Sequence, residues 1–425
     1  MREIFITTLQ ALSDFVYLYP LLMTFVWMIG ALTFFFRLEF RKKNPPELKD
    51  YPFFSVLVPC HNEEGTIEDT VAHLVEVDYP DYEVLLIDDG SSDNTAAKIH
   101  ELCGKHDRVR GVYVKQNQGK AAALNAGCLV SKGEFLLCID ADALLDKQCI
   151  KWMARQFQSS PRVGAITGNP RVLNRTTLLG KIQTGEYATI IGFIKRSQRI
   201  LGKVLTVSGV VAAFRKQALA SVGLWDTDMV TEDIDITWKL EKQFWDVRYE
   251  PRAICWILVP ETLKGLWVQR IRWAQGGVEV LKKHNDIWHD WRQRRLWPVY
   301  LEYACTIIWV FSLWTLVLLW AEQAIFGVAM PVRFMPPVPP LWTGSILALA
   351  CLIQFALSLF IDSHYDKKIF RYLFWVIWYP FVYWMINALA VLIAVPKAVL
   401  KKKGTRAVWE SPDRGLEKIT AAKGK

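Results

Sequence analysis

Four stretches of this chain are almost free of charge over lengths that reach across a lipid bilayer, and they decide what the rest can be. Residues 15–36 run for 22 positions without one charged side chain. As a helix that is about 33 Å at ~1.5 Å per residue, against a hydrocarbon core of about 30 Å. Residues 301–327, 341–361 and 372–395 have similar length and character near the other end. A secretory signal has a shorter apolar core and a small-residue cleavage site. The first run instead closes on aromatics and is followed by RLEFRKK, so it reads as a retained anchor.

Basic residues crowd beside these runs: Arg37, Arg41, Lys42 and Lys43 after the first, Lys401, Lys402 and Lys403 after the last. Positive-inside bias then places the segment after the first run, and the tail, in the cytoplasm. Three further spans would leave the tail outside, which conflicts with its charge. Pro380, near the middle of the last run, permits a broken or re-entrant segment that restores a cytoplasmic tail.

The 425 residues are 52% hydrophobic with 19 Trp, a composition that excludes a disordered chain and an ordinary soluble enzyme. Net charge is 51 minus 42, or +9. Because the excess sits beside apolar runs, it reads as membrane-flanking charge and not as a nucleic-acid surface. Eight scattered Cys with no C-x-x-C pair and no nearby His cluster indicate reduced thiols, neither a disulfide framework nor a zinc site.

Between the apolar ends the rhythm changes. FFSVLVP, YEVLLIDD, RGVYVK, EFLLCIDAD and VGAITGNP alternate with helix-like segments, the pattern of an α/β domain with a mostly parallel sheet. Such sheets bind ligands beyond the carboxyl ends of their strands. The sequence divides into an anchor and basic flank (1–50), a cytoplasmic α/β domain (51–260), amphipathic Trp/Arg-rich interfacial helices (261–298), a C-terminal membrane region (299–396) and a basic tail (397–425). There is no internal repeat.

Four motifs carry candidate chemistry. VLVPCHNEE and then VLLIDDGSSDNT put Asp88 and Asp89 with a tight turn at a strand's end, where a nucleotide could be caught; a solvated turn with Ser92 or Asp93 capping the next helix is the alternative. In EFLLCIDADAL, Asp140 and Asp142 stand two apart, so both can face one hard divalent cation, Mg²⁺ or Mn²⁺, that neutralises a departing diphosphate. In MVTEDIDITWKL, Thr231 could simply cap a helix with Glu232 and Asp233 in its first turn. Asp233 could equally be the single carboxylate that an inverting transfer needs as base. In QRIRW, helical spacing puts Gln269 and Trp273 on one face with Arg270 beside them, an aromatic platform for sugar and a guanidinium for diphosphate; the alternative is a membrane-surface anchor.

In this order and layout, the four elements resemble the processive, inverting family 2 glycosyltransferases, the synthases of cellulose, chitin, hyaluronan and poly-N-acetylglucosamine. The likeness runs from Val56 to Gly277. Through GNPRV, GKIQTGEYATIIGFIKRSQRI, VSGVVAAFRK, MVTEDIDITWKL, YEPRAICWILVPETLKGLW and QRIRWAQGG it is most similar to the branch that makes the poly-N-acetylglucosamine of bacterial biofilm matrix. The resemblance implies a glycosyltransferase A-type domain set between transmembrane helices. It implies polymerisation of N-acetylglucosamine from UDP-N-acetylglucosamine through β-1,6 linkages at the bacterial inner membrane. Chitin, hyaluronan or a lipid-carried sugar are the alternative products.

Residue roles follow from the same likeness. Cys60, Glu63 and Asp89 would line the uridine pocket, with Lys120 and Arg270 also on the donor. Asp140 and Asp142 would hold nucleotide and metal, and Asp233 would be the base. Ser208, Gly209, Glu232, Gln269, Arg272 and Trp273 would meet the acceptor. His61 stands where many relatives have Tyr, and one N-terminal span stands where close relatives often show two. No cyclic di-GMP domain of the cellulose-synthase type is present, so the resemblance implies that this nucleotide, if it regulates, acts through a small membrane accessory subunit.

Overall fold

The computed structural model describes residues 2–40, 47–327, 342–379, 383–402 and 404–406. Arg41, Lys42, Lys43, Lys403 and Pro380, on which parts of the topology argument rested, lie outside them.

Eight strands form one sheet in the order β3-β2-β1-β4-β7-β6-β8-β5, where β1 is Phe54–Cys60, β2 Tyr82–Asp89, β3 Val109–Val114, β4 Phe135–Ile139, β5 Leu144–Leu145, β6 Val163–Val172, β7 Val211–Arg215 and β8 Asp246–Ile257. β1 pairs in parallel with β2 and β4, β2 with β3, and β6 with β8; β7 runs antiparallel to both its neighbours. The five apolar runs singled out in the sequence are β1, β2, β3, β4 and β6. Both faces of the sheet are covered, so β1, β2, β4 and β6 are buried along their whole length, as continuous apolar runs require.

Among the described residues three helices are long and apolar enough to cross a membrane: Glu3–Glu39, Trp297–Phe326 and Thr343–Asp362. The first starts at Arg2, so residues 2–14 continue the anchor helix and form no separate element. Its last turn, Phe35–Glu39, widens to π-helical pitch and ends with Glu39 buried against the α/β domain. Leu22, Ile29, Leu318 and Ile325 are among the apolar side chains left exposed on these helices, the surface that lipid covers.

Within the expected span over residues 372–395, the described residues include a single turn, Leu373–Val376, and a helix of 17 residues, Trp384–Leu400, about 26 Å long at ~1.5 Å per residue. That second piece lies along the helix Leu263–Lys283. Lys401 pairs with Glu279 at 2.9 Å and donates to the Asp228 carbonyl at 2.6 Å, and Lys282 donates to the Val399 carbonyl at 3.0 Å. The end of the last run is thus fastened to the side that carries the sheet.

Candidate active site

A cavity of about 520 Å³ opens beyond the carboxyl ends of β4 and β8, bounded by the loop before β7, the start of the helix Glu232–Lys242 and the helix Leu263–Lys283. It continues between the membrane helices, where Trp27, Glu302, Tyr303 and Asn387 line it. Four of its acids arrive by two routes. β4 ends at Ile139, so Asp140 and Asp142 sit in the turn that follows and not on an extended strand. Glu232 and Asp233 open the helix Glu232–Lys242.

One lysine holds the acids together. Lys120 Nζ lies 2.5 Å from Asp140 Oδ1 and 3.5 Å from Glu232 Oε1, and donates to the Gly209 carbonyl at 3.1 Å. Asp233 Oδ2 accepts the Gly209 N–H at 3.1 Å and Oδ1 accepts the Ile234 N–H at 2.9 Å. Burial and then the neighbouring Glu232 charge push the Asp233 carboxyl up to about 6, against the pull of Lys120 and the two N–H groups. A carboxyl poised near neutrality takes a proton readily and is still largely ionised at pH 7.

Thr231 precedes this helix but makes no side-chain cap, so the bland reading of the motif is not what the backbone uses it for. Instead its side chain fills the space over Gly276, where a Cβ would collide with it. At Gly277 a Cβ would collide with the Tyr303 hydroxyl. The two glycines therefore let the QRIRW helix press on the acidic loop and on a membrane helix together.

Gln269, Arg270, Arg272 and Trp273 all line the cavity, as do Ser208, Gly209 and Lys120. The Gln269 Oε1 is buried without a hydrogen-bond partner, an acceptor aimed where a ligand can satisfy it. Arg270 is differently engaged: its guanidinium pairs with Glu186 at 2.5 Å and lies 4.5 Å over the Trp273 ring. One face of that platform is therefore taken by Arg270. Tyr379 donates to the same Glu186 at 3.1 Å.

Cys60, Glu63 and Asp89 stand at the carboxyl ends of β1 and β2 but do not line this cavity. The Cys60 side chain is in the core, and burial pushes its thiol up. Glu63 is buried and accepts from the Thr66 hydroxyl at 2.8 Å. Asp89 is fully buried and accepts the Gly119 N–H at 2.8 Å and the Gln118 N–H at 3.0 Å, shaping the loop that delivers Lys120. Asp93 accepts the Thr95 N–H at 3.0 Å ahead of the next helix, whose N-cap position, Asn94, makes no side-chain cap. His61 Nε2 faces Asn117 Nδ2 at 2.9 Å across the same rim.

Sequence reasoning missed Glu186, Lys195, Gln198 and Glu302, all in the cavity wall. The signal was present: each interrupts or borders an apolar segment, and an ionisable group in such a place is a candidate functional group by default.

Among the described residues no group of three His, Cys, Asp or Glu forms a ready-made metal site. Two hard carboxylates beside an open cavity are nevertheless the donor set that a Mg²⁺-like ion uses when substrate phosphates complete its shell.

An α/β sheet with acids at its carboxyl edge and a pocket of this shape is the architecture of a nucleotide-sugar glycosyltransferase. The chain belongs to glycosyl transferase family 2, whose model matches residues 55–223. It is 41% identical over 417 residues to the poly-beta-1,6-N-acetyl-D-glucosamine synthase of Staphylococcus epidermidis, covering 95% of this chain and 98% of that one. The synthase of the same name from Staphylococcus aureus is 42% identical over 409 residues, with the same coverage. A mannosyltransferase of Pyrobaculum calidifontis, solved in complex with GDP-Man and Mn²⁺, shares the fold at a TM-score of 0.65 and 21% identity, covering 93% of this chain and 99% of that one.

Proposed function

We propose that the protein is a processive, inverting glycosyltransferase that polymerises N-acetylglucosamine from UDP-N-acetylglucosamine into a β-1,6-linked exopolysaccharide and passes it toward the membrane. The observation that carries the polymerase reading is the continuity of the cavity, which begins at Asp233 and runs on between the membrane helices. The choice of sugar is supported by the near full-length relatives that bear that synthase name. The protein would be multi-pass in the inner membrane with residues 51–260 as the cytoplasmic catalytic domain, 261–298 as its interfacial platform and 299–396 as the C-terminal membrane region.

In this reading the acceptor hydroxyl attacks the sugar's anomeric carbon, the bond from that carbon to the diphosphate breaks, and the hydroxyl proton passes to Asp233. Inversion follows because one displacement occurs and no residue forms a covalent intermediate. Lys120 holds Asp140 and Glu232 in place and adds positive charge beside the donor. Asp140 and Asp142 would hold a divalent cation, which when bound neutralises charge on the departing diphosphate. Arg272 would meet the diphosphate, while Arg270, paired to Glu186, would set the tilt of Trp273 under the acceptor sugar; Gln269, Ser208 and Gly209 would hydrogen-bond it. Cys60, Glu63 and Asp89 would shape the uridine side from behind. A small membrane accessory subunit, with cyclic di-GMP acting through it, belongs to the proposal on family resemblance.

The test is purified protein in nanodiscs given UDP-N-acetylglucosamine or UDP-glucose, with Mg²⁺ or chelator. Long polymer from UDP-N-acetylglucosamine alone is expected. UDP release that yields only single-sugar adducts would sink the polymerase reading.

A further inference from the structure

Lys195 is a cation in the cavity wall to which the transfer described above gives no task. It is 4% exposed, on the helix Ile194–Leu201, and with Gln198 one turn on it forms the face which that helix turns to the cavity. Its neighbour Arg196 is equally buried but matched in charge, lying 2.8 Å from Glu39 and 3.1 Å from Asp362. Lys195 has nothing comparable. Its Nζ donates to the Thr167 hydroxyl at 3.1 Å, and among the described residues no carboxylate lies within ion-pair distance. Burial lowers the ammonium to about 7, opposed only by the Asp233 charge.

A short chain of bonds ties this amine to the base. Thr167 Oγ1, which accepts from Lys195, also accepts the Ser208 N–H at 2.8 Å; the next residue, Gly209, gives its own N–H to Asp233 at 3.1 Å. Amine and carboxylate are thus mounted on two consecutive residues of one loop and open on one cavity. A side chain with a purely structural role at this depth would be apolar or paired, because an unmatched buried cation is costly. The remaining N–H groups need an oxygen that the protein does not supply.

We propose that Lys195 is an acceptor-binding residue: its amine donates to the sugar at the growing end, through a hydroxyl or amide carbonyl oxygen, and so holds the attacking hydroxyl toward Asp233. The ligand is a neutral, oxygen-rich sugar unit and not the nucleotide, whose phosphates lie with Lys120. This rests on the glycosyl-transfer reading above, though not on which sugar is transferred.

The experiment compares wild type, Lys195→Met and Lys195→Arg as full-length protein in nanodiscs, reading polymer length, kcat, KM for donor and binding of UDP. Loss of a charged hydrogen bond to the acceptor should cut polymer yield about tenfold or more and shorten the chains. Donor KM and UDP affinity should stay within about twofold, and Arg should recover part of the length. Lys195→Leu, which also removes the donor, is read the same way should Met lower the yield of folded protein. Wild-type length in Lys195→Met, or donor binding that falls in step with polymer, would overturn the proposal. If wild type polymerises a different UDP sugar, the donor assignment falls, and the same comparison run with that sugar still decides Lys195.

Discussion

Two clusters of buried charge, one at the membrane junction and one at the catalytic edge of the sheet, show opposite bookkeeping. At the junction Arg171 and Arg196 face Glu39 and Asp362, two cations against two anions, all under 5% exposed. Arg196 grips Glu39 with two parallel bonds of 2.8 Å, and Tyr365 adds a third at 2.5 Å. These residues come from the anchor helix, the helix Ile194–Leu201, β6 and the helix Trp342–Asp362, so the cluster clasps sheet to membrane. At the catalytic edge three acids, Asp140, Glu232 and Asp233, gather around one lysine, Lys120, which ion-pairs with the first two. At the junction the formal charges cancel within the protein. Around Lys120 an excess of anionic charge remains that a bound cation would offset.

The comparison breaks most sharply at its two central residues. Asp233→Asn keeps the shape and removes the base, so polymer formation should fall about a thousandfold while UDP affinity and thermal stability hold. Radiolabelled sugar incorporation measures this; more than about a tenth of wild-type activity would mean that another group takes the proton. Arg196→Met should do the reverse. Stranding Glu39, with Asp362 left to Arg171 alone, should cost about 3–5 kcal/mol, seen as a lowered melting temperature in detergent, while the protein that remains folded keeps its donor KM. Loss of donor affinity at unchanged stability would show that the junction cluster belongs to the site.

The legibility of the two clusters differed for a physical reason. The catalytic acids could be read because each stands just after an apolar run or at a helix start, positions that sheet topology turns toward a ligand. The strands β1, β2, β4 and β6 could be read because burial on both faces makes them continuous, and the edge strand β3 from its short run of Val and Tyr. β7 and β8 were not identified as strands: VAAFR is short, and β8 carries Arg and Glu at alternating positions. The junction cluster was invisible because its members lie up to 323 residues apart (362 minus 39) and acquire meaning only through the packing of helices. For the same reason Glu186 was missed as the partner of Arg270. A local motif gives an arginine its place on a helix face but not the carboxylate that claims it.

Removing the metal should act on the unbalanced cluster alone. With chelator in place of Mg²⁺, transfer should fall about a hundredfold, several kcal/mol of leaving-group stabilisation being lost, and the melting temperature without nucleotide should stay where it was. A melting temperature that drops with chelator would instead make the ion part of the fold.

The smallest effect is the most informative about how the acids influence one another. Asp233 must be ionised to act, and its carboxyl is raised to about 6, so activity should rise with pH through that value and fall about tenfold for each unit below it. Glu232 is the charge that adds to burial in raising it. Replacing Glu232 by Gln removes a like charge beside Asp233, which makes ionisation easier and moves the acid limb toward lower pH, by about one unit for a neighbour this close. Lys120 works in the other direction, so losing its charge should move the limb upward. A limb that shifts in opposite senses in Glu232→Gln and Lys120→Met traces it to the base and its neighbours. A limb that stays fixed in both would place the titrating group elsewhere, and the claim that the imbalance of charge tunes Asp233 would fall with it.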